Sequence, residues 1–313
     1  MANYITVDGG TTNTRIYLVK DRVIVDTVKI PIGAGNGKEY LKTALRDAIA
    51  LLLSSHGMTE REFVCILASG MITSEYGLCP LLHLPLPAGK LDLHNAMQEV
   101  TLADISEIPF VFLRGVKSVC PTSQTADMMR GEETELMGIL CEDSAESLYV
   151  LPGSHSKLIS VDREGRIVKF QTMMTGEMLA ALSQHTILRD AVDLSVKSFS
   201  APYLLRGYEC CRDRGINYAL FQTRVLKNLF SANAEECYGF FLGVVLCGEI
   251  SEILKCEETT VVLGGQKQLR EAMAVILERF GEKNVIVLRD ECVNRSTSIG
   301  AIKIFEGSQK LQK

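Results

Sequence analysis

The run Asp8-Gly9-Gly10-Thr11-Thr12-Asn13-Thr14-Arg15 decides how this chain is read. It joins two β-patterned runs, 4–8 and 14–19, and a third, 23–30, follows after Lys20-Asp21, so the opening reads as an antiparallel meander. Glycine at positions 9 and 10 lets backbone N–H groups approach an anion, and the side chains of Thr11, Thr12 and Asn13 add polar groups beside them. Asp8 stands at a strand end beside those donors and could hold a Mg²⁺ ion that keeps most of its waters. A hairpin turn begun by an aspartate fits the same letters. Spacing alone leaves these two readings level.

Outward from the meander, a helix is expected over 38–55, where Leu41, Ala44, Leu45, Ala48, Leu51 and Leu52 recur at helical spacing. A buried strand at 63–68, an irregular stretch at 70–89, a strand at 109–113 and a helix at 126–140 complete the first half. The second half repeats the order: strand runs at 148–151, 158–161 and 166–172, helical patterns at 176–188 and 224–254, a strand at 260–263, a helix at 267–280, a strand at 284–288 and a helix at 293–305. The repetition is of topology rather than of letters. It predicts two mixed α/β domains, 1–143 and 144–313, with a ligand cleft between them.

The repeat supplies a second turn, Pro152-Gly153-Ser154-His155-Ser156-Lys157, at the place equivalent to the first. Two hydroxyl-rich glycine turns at matching positions would grip a polyphosphate from both sides, which one such turn would not suggest. A buried strand also runs into Gly264-Gly265-Gln266 before a helix, where bare backbone can take a ribose or base; a glycine needed only for turn geometry fits there too. Asp127, at the start of the expected helix 126–140, reads either as its N-cap or as a carboxylate able to accept a hydroxyl proton. Arg130 falls one helical turn later and could pair with a substrate carboxylate.

Other patterns fail. The run Gly33-Ala34-Gly35-Asn36-Gly37-Lys38-Glu39 lacks the first glycine of a P-loop and has Glu39 where Ser or Thr would bind Mg²⁺. Ser154-His155-Ser156 has no G-x-S-x-G around it, and the other histidines show no metal-ligand spacing. With 33 basic against 38 acidic residues, the net charge of −5 argues against binding through diffuse phosphate attraction to nucleic acid. The ten cysteines include no C-x-x-C pair and read as reduced thiols. The apolar stretch 240–247 is too short to span a bilayer, and no leader precedes the first strand, so a cytoplasmic protein is expected. A homodimer is compatible with the sequence.

Taken in order, these segments resemble the sugar kinase/heat-shock-70/actin superfamily, whose two ribonuclease-H-like domains close on ATP. At finer grain, the first turn, Gly70-Met71-Ile72-Thr73-Ser74, Asp127-Met128-Met129-Arg130-Gly131-Glu132-Glu133-Thr134, the second turn and Met174-Thr175-Gly176-Glu177 are similar to the 2-dehydro-3-deoxygalactonokinase family. The resemblance implies ATP-dependent phosphorylation of a 2-keto-3-deoxy sugar acid in galactonate catabolism. It implies Asp127 as the base, Asp8 beside Mg²⁺, Gly9, Gly10, Thr11, Thr12 and Asn13 with Gly153, Ser154, His155, Ser156 and Lys157 as phosphate turns, and Gly264, Gly265 and Gln266 as the adenosine motif. Arg15, Gly70, Met71, Ile72 and Arg130 are the residues assigned to the sugar acid. The chain departs from the family pattern at Gly9 and Leu158, where the family places tryptophan. A kinase for another sugar on this fold, or a non-catalytic actin-like nucleotide-binding protein, is the alternative.

Overall fold

The structure, a computed structural model, describes residues 2–120, 125–141 and 146–307. Strands β1 (Asn3–Gly9), β2 (Thr14–Lys20) and β3 (Val23–Ile30) form the expected meander, with Asp8 opposite Arg15 and Gly9 opposite Thr14. Helix α1 (Lys38–Ser55) buries Leu41, Leu45, Ile49 and Leu52 against the sheet core. Removing each of these from water contributes roughly 1.5–3 kcal/mol, which is why so regular a stripe holds its helix in place. Strand β4 (Phe63–Gly70) then runs parallel to β1.

Beyond β4 the chain adds β5 (Leu84–Pro85), α2 (Lys90–Asn95), β6 (Gln98–Val100), β7 (Phe110–Phe112), β8 (Val116–Cys120), β9 (Thr125–Met129) and α3 (Glu132–Ile139). The first sheet has the order β3-β2-β1-β4-β7-β6, and β5, β8 and β9 form a separate three-stranded sheet. The single helix expected over 126–140 is therefore two elements. Residues 125–129 pair with β8 as an edge strand, and the helix begins only after Gly131, whose φ of 114° ends the strand.

The second sheet is built from β10 (Ser147–Leu151), β11 (Ser156–Val161), β12 (Ile167–Met173), β13 (Thr260–Leu263) and β14 (Asn284–Val287), in the order β12-β11-β10-β13-β14. Its pairing copies the first sheet: an antiparallel meander, then two parallel strands beside the central one. Around it lie α4 (Thr175–His185), α5 (Ala201–Arg214), α6 (Ile216–Phe230), α7 (Ala234–Lys255) and α8 (Lys267–Phe280), and α9 (Asp290–Glu306) closes the chain. The fold is the α/β, actin-like type that the resemblance implied.

Helix α7 spans 22 residues, long and apolar enough by length and composition to cross a membrane, so the apolar stretch is not as short as the sequence suggested. Its neighbours decide its role. Phe240, Phe241, Leu242, Val244, Leu246 and Ile250 are buried in the core of the second sheet's unit. The cysteines with described side chains are free thiols, and Cys65, Cys211, Cys237 and Cys247 are buried.

The chain divides into two compact units, Met1–Ala145 with Asp162–Lys169 and Asp290–Lys313, and Glu146–Val161 with Phe170–Arg289. The 143/144 boundary expected from sequence lies outside the described residues, and the division is not a simple halving. Helix α9 returns to the first unit because it crosses α3 almost backbone to backbone. A Cβ at Gly138 would lie 1.8 Å from the Ser296 carbonyl oxygen, and one at Gly300 would lie 1.8 Å from that of Thr134.

Candidate functional site

The first turn is clamped from behind. Its closing bond runs from Gly10 N–H to the Asn13 carbonyl at 2.9 Å. Ala34 N–H then donates to the Gly10 carbonyl at 3.0 Å, and Gly35 N–H to the Thr11 carbonyl at 2.9 Å. A Cβ on Gly33 would sit 2.4 Å from the Gly10 oxygen, so the glycine-rich run that fails as a nucleotide loop is the support of the neighbouring turn. With its carbonyls tied back, the turn leaves Thr11, Thr12 and Asn13 exposed. Among the described residues, no hydrogen bond occupies the Thr11 or Thr12 N–H.

Three glycines from distant parts of the sequence meet at this turn. Gly70, at φ 82°, ends β4, and a Cβ there would lie 2.6 Å from the Gly9 carbonyl oxygen. Gly131, at the head of α3, would place a Cβ 3.3 Å from the Gly70 Cα. Gly9 itself has Ile72 Cβ at 2.7 Å from where its own Cβ would be, so a bulky residue at position 9 would displace the 71–74 loop. The residues assigned to phosphate and to sugar acid in this unit are thus packed together.

Arg130 is placed differently from the sequence expectation. It lies in the turn between β9 and α3, not one helical turn after Asp127. Its Nη1 donates to the Thr73 carbonyl at 2.7 Å and to Thr73 Oγ1 at 2.6 Å, and its Nη2 to the Leu81 carbonyl at 2.9 Å. The guanidinium is occupied in fixing the loop that carries Met71 and Ile72. His83 lies 3.3 Å from the same group, and burial, then Arg130, then Lys117 hold its ring at about 4, so it is neutral near pH 7.

The acids Asp8, Glu132 and Glu135 act on one another beside the turn. Asp8 is 3.6 Å from Arg15; burial pushes its carboxyl up, Arg15 opposes this, and Glu132 reinforces it. Glu133 is fully buried, accepts the Gly131 N–H at 2.8 and 2.9 Å, and is pushed up to about 8 by burial and by Glu132. Glu135 is also pushed up to about 8, by burial first and then by Asp8 and Glu132, against the pull of Arg15 and of its bond with Ser296. Asp127 is half-buried on β9 opposite Ser118, and its Oδ1 accepts the Met128 N–H at 2.7 Å. It is a strand residue and not a helix N-cap. Glu132 and Glu133 stand in the run that carries the family resemblance, but pattern assigns none of the three glutamates a role, because acidic residues at a helix start look alike whether they face solvent or a site.

The second turn has the same frame and a different backing. Four residues separate β10 from β11, as four separate β1 from β2. Gly265, at φ 61°, would place a Cβ 2.3 Å from the Pro152 carbonyl oxygen, the counterpart of Gly70 against Gly9. Gln266 N–H donates to that carbonyl at 2.7 Å, while buried Arg270 holds the Gly265 carbonyl at 2.9 Å. The head of α4 completes the frame, with Gly176 N–H on the Gly153 carbonyl at 3.1 Å and Glu177 N–H on that of Ser154 at 3.3 Å.

Ser154 and His155 are exposed, and His155 Nε2 lies 2.9 Å from Glu177 Oε1. Ser156 and Lys157 are not presented with them. They are 0% and 4% exposed and belong to β11, while Ser154 and His155 precede the strand. The Ser156 hydroxyl faces Glu249, a buried acid on α7 that sequence pattern alone could not connect to this turn.

A family model described as 2-keto-3-deoxy-galactonokinase matches residues 8–298. The 2-dehydro-3-deoxygalactonokinase of Escherichia coli strain K12 is 27% identical over 260 residues, 80% of each chain. Among solved structures, a Sinorhizobium meliloti protein provisionally described as a 2-dehydro-3-deoxygalactonokinase superposes with a TM-score of 0.79 at 22% identity, covering 98% of this chain and all of that one. The activator of 2-hydroxyisocaproyl-CoA dehydratase from Clostridium difficile, with bound ADPNP, shares the fold at a TM-score of 0.53 and 13% identity, covering 98% of this chain and 96% of its own.

Proposed function

The chain belongs to the 2-keto-3-deoxy-galactonokinase family, and from that premise we propose that it transfers the γ-phosphoryl group of ATP to the terminal hydroxyl of 2-dehydro-3-deoxy-D-galactonate. The observation that carries this reading is the pair of four-residue turns at equivalent strand junctions, each backed by a positive-φ glycine and each presenting unoccupied N–H groups among the described residues. Two such concentrations of backbone donors suit a triphosphate.

Each unit has its own task. In the second, the backbone of Gly153, Ser154 and His155 binds phosphate oxygens, and the Gly264-Gly265-Gln266 corner takes the adenosine. In the first, Thr11, Thr12 and the turn backbone hold the transferring group, while Arg15 and the 70–72 loop orient the sugar acid. Arg130 acts through that loop by fixing Thr73. Asp127 accepts the proton as the substrate oxygen attacks phosphorus, the bond from phosphorus to the β,γ-bridging oxygen breaks, and ADP leaves.

No group of three or more His, Cys, Asp or Glu side chains among the described residues is arranged to cage a metal. Asp8, a carboxylate near the end of β1 beside the first turn, fits Mg²⁺ arriving with the nucleotide, because the ion keeps waters and phosphate oxygens and asks the protein for one or two carboxylates. Asp8 would hold it through such waters. When bound, the ion neutralises charge on the phosphates.

The test is ADP release by the purified chain with ATP, Mg²⁺ and a panel of 2-keto-3-deoxy sugar acids. Highest kcat/KM is expected with 2-dehydro-3-deoxy-D-galactonate. A clear preference for another acid would move the substrate assignment, and no acid-dependent ADP release would overturn the activity.

A further inference from the structure

Glu249 is the least expected charged residue in the second unit. It sits on α7 among apolar side chains, is 1% exposed, and still has a carboxylate to satisfy. Thr175 Oγ1 donates to its Oε2 in a short hydrogen bond, and the Ser156 hydroxyl lies against the same carboxylate. Oε1 has no hydrogen-bond partner among the described residues. Burial pushes the carboxyl up to about 7, and the two hydroxyls pull it back. A carboxylate in such a place is costly compared with a leucine of similar bulk. Packing alone gives no reason for it.

Its two hydroxyl partners lead to one place. Ser156 begins β11, directly after the second turn, and also faces the Gly153 N–H at 3.4 Å. Thr175 begins α4, whose next two N–H groups, of Gly176 and Glu177, hold the Gly153 and Ser154 carbonyls. The strand side and the helix side of the turn are therefore joined beneath it by one buried acid. The fit is tight: a Cβ on Gly176 would lie 2.5 Å from the Gly153 carbonyl oxygen and 2.7 Å from the Ser154 Cα. A small slip between β11 and α4 would move the backbone donors of the turn.

We propose that Glu249 is a positioning residue for nucleotide binding, holding Ser156 and Thr175 in register so that the 153–155 backbone is shaped for phosphate before ATP arrives. The proposal rests on reading that turn as a phosphate turn. Glu249 touches no substrate and acts only through the two hydroxyls. Preorganising donors in this way lowers the cost of binding and leaves the sugar-acid side alone.

The experiment is steady-state kinetics on Glu249→Ala, Glu249→Gln and, as a separate probe of the turn, Ser154→Asp. KM is the chosen readout because a merely structural role lowers the active fraction, and so kcat, without moving KM. Glu249→Ala is expected to raise KM for ATP about tenfold, equivalent to about 1.4 kcal/mol of binding, with KM for the sugar acid unchanged. Glu249→Gln keeps an acceptor for Thr175 and a polar partner for Ser156, and is expected to recover most of that loss. Ser154→Asp puts a negative charge on the turn and should raise KM for ATP by itself. If it does so while Glu249→Ala changes only kcat, the positioning role is overturned and the phosphate turn stands. If Ser154→Asp leaves KM for ATP unchanged, the phosphate-turn reading fails and takes this proposal with it. Should Glu249→Ala not fold, Glu249→Gln combined with Thr175→Val applies the same KM comparison.

Discussion

The turn at 10–13 and the turn at 152–155 occupy the same position in two sheets that share the order of five strands, yet their supports differ in one respect. The first rests on backbone. Its carbonyls are tied to 34–35, and its neighbours are the glycines at 70 and 131. Its charged groups, Asp8, Arg15 and the glutamates at the head of α3, gather at the side of the turn. The second has its carbonyls tied by backbone as well, to 176, 177 and 266, but adds a side chain, Glu249, buried beneath it, and presents only Ser154 and His155 outward. The difference suits the proposed division of labour. A turn that works beside reacting atoms needs charges around it, and a turn that holds a nucleotide needs a shape fixed from below.

The sharpest way to break this comparison is at the proposed base. Asp127→Asn is expected to lower kcat by about 10²–10⁴-fold, the usual range for general-base loss, with KM for ATP unchanged. Glu132→Gln is the paired variant, since Glu132 is the acid that acts on Asp8. A larger kcat loss there than at position 127 would move the base to the head of α3.

Next are the counterpart glycines. Gly70→Ala and Gly265→Ala each put a Cβ on a positive-φ residue and against a backbone carbonyl at 2.6 and 2.3 Å. Each is expected to cost about 1–3 kcal/mol of stability from the strain. Gly265→Ala should raise KM for ATP, and Gly70→Ala should raise KM for the sugar acid, each leaving the other constant nearly unchanged. If both variants moved the same constant, the division of labour would be wrong.

A smaller effect is expected from Arg130→Ala. It removes the donors to Thr73 and Leu81, so KM for the sugar acid should rise several-fold, with little change in KM for ATP. The smallest is a pH effect. Glu133 moves from its ordinary 4.5 to about 8 on folding, so the neutral acid is the form the fold prefers. Its contribution is complete below about 4.5 and is lost as pH rises towards 8. Melting temperatures of wild type and Glu133→Gln, measured from pH ~5 to ~8, should therefore converge or cross in favour of the variant. A difference that stays constant over that window would show that Glu133 is not buried as an acid.

Much of this was legible in the letters, and the exceptions have physical causes. The bounds of α1 and α8 follow directly from apolar periodicity, because each buries one continuous face, and those of β13 from a short apolar run buried on both faces. Helix α5 was not readable: its buried positions Leu204, Gly207, Tyr208 and Cys211 are interleaved with arginines, and its close contact with α7 runs through glycine. A Cβ on Gly243 would lie 2.0 Å from the Leu204 carbonyl oxygen. Such a seam carries no hydrophobic signal. Residues 126–131 depart from the expected helix for a related reason: the helical character of the acidic segment begins after Gly131, and the residues before it are a strand that owes its conformation to pairing with β8.

Within the candidate site, the turn residues stand out from sequence as glycines and hydroxyls at strand junctions, Asp127 as an acid at an expected helix start, and Gly70 only through the family resemblance. The roles of Arg130, Ser156 and Glu249 could not, since each depends on which neighbour the side chain meets. By itself, then, the sequence determined the doubled strand–helix order, the two glycine turns and their kinship, all properties of local pattern. Only the tertiary structure decided that α9 belongs to the first unit, that the 33–36 run is a clamp, that Arg130 faces its own loop and that a buried acid underlies the second turn. Those are contacts between residues tens to hundreds of positions apart, and nothing in a local period encodes which side chain a distant element will bring alongside.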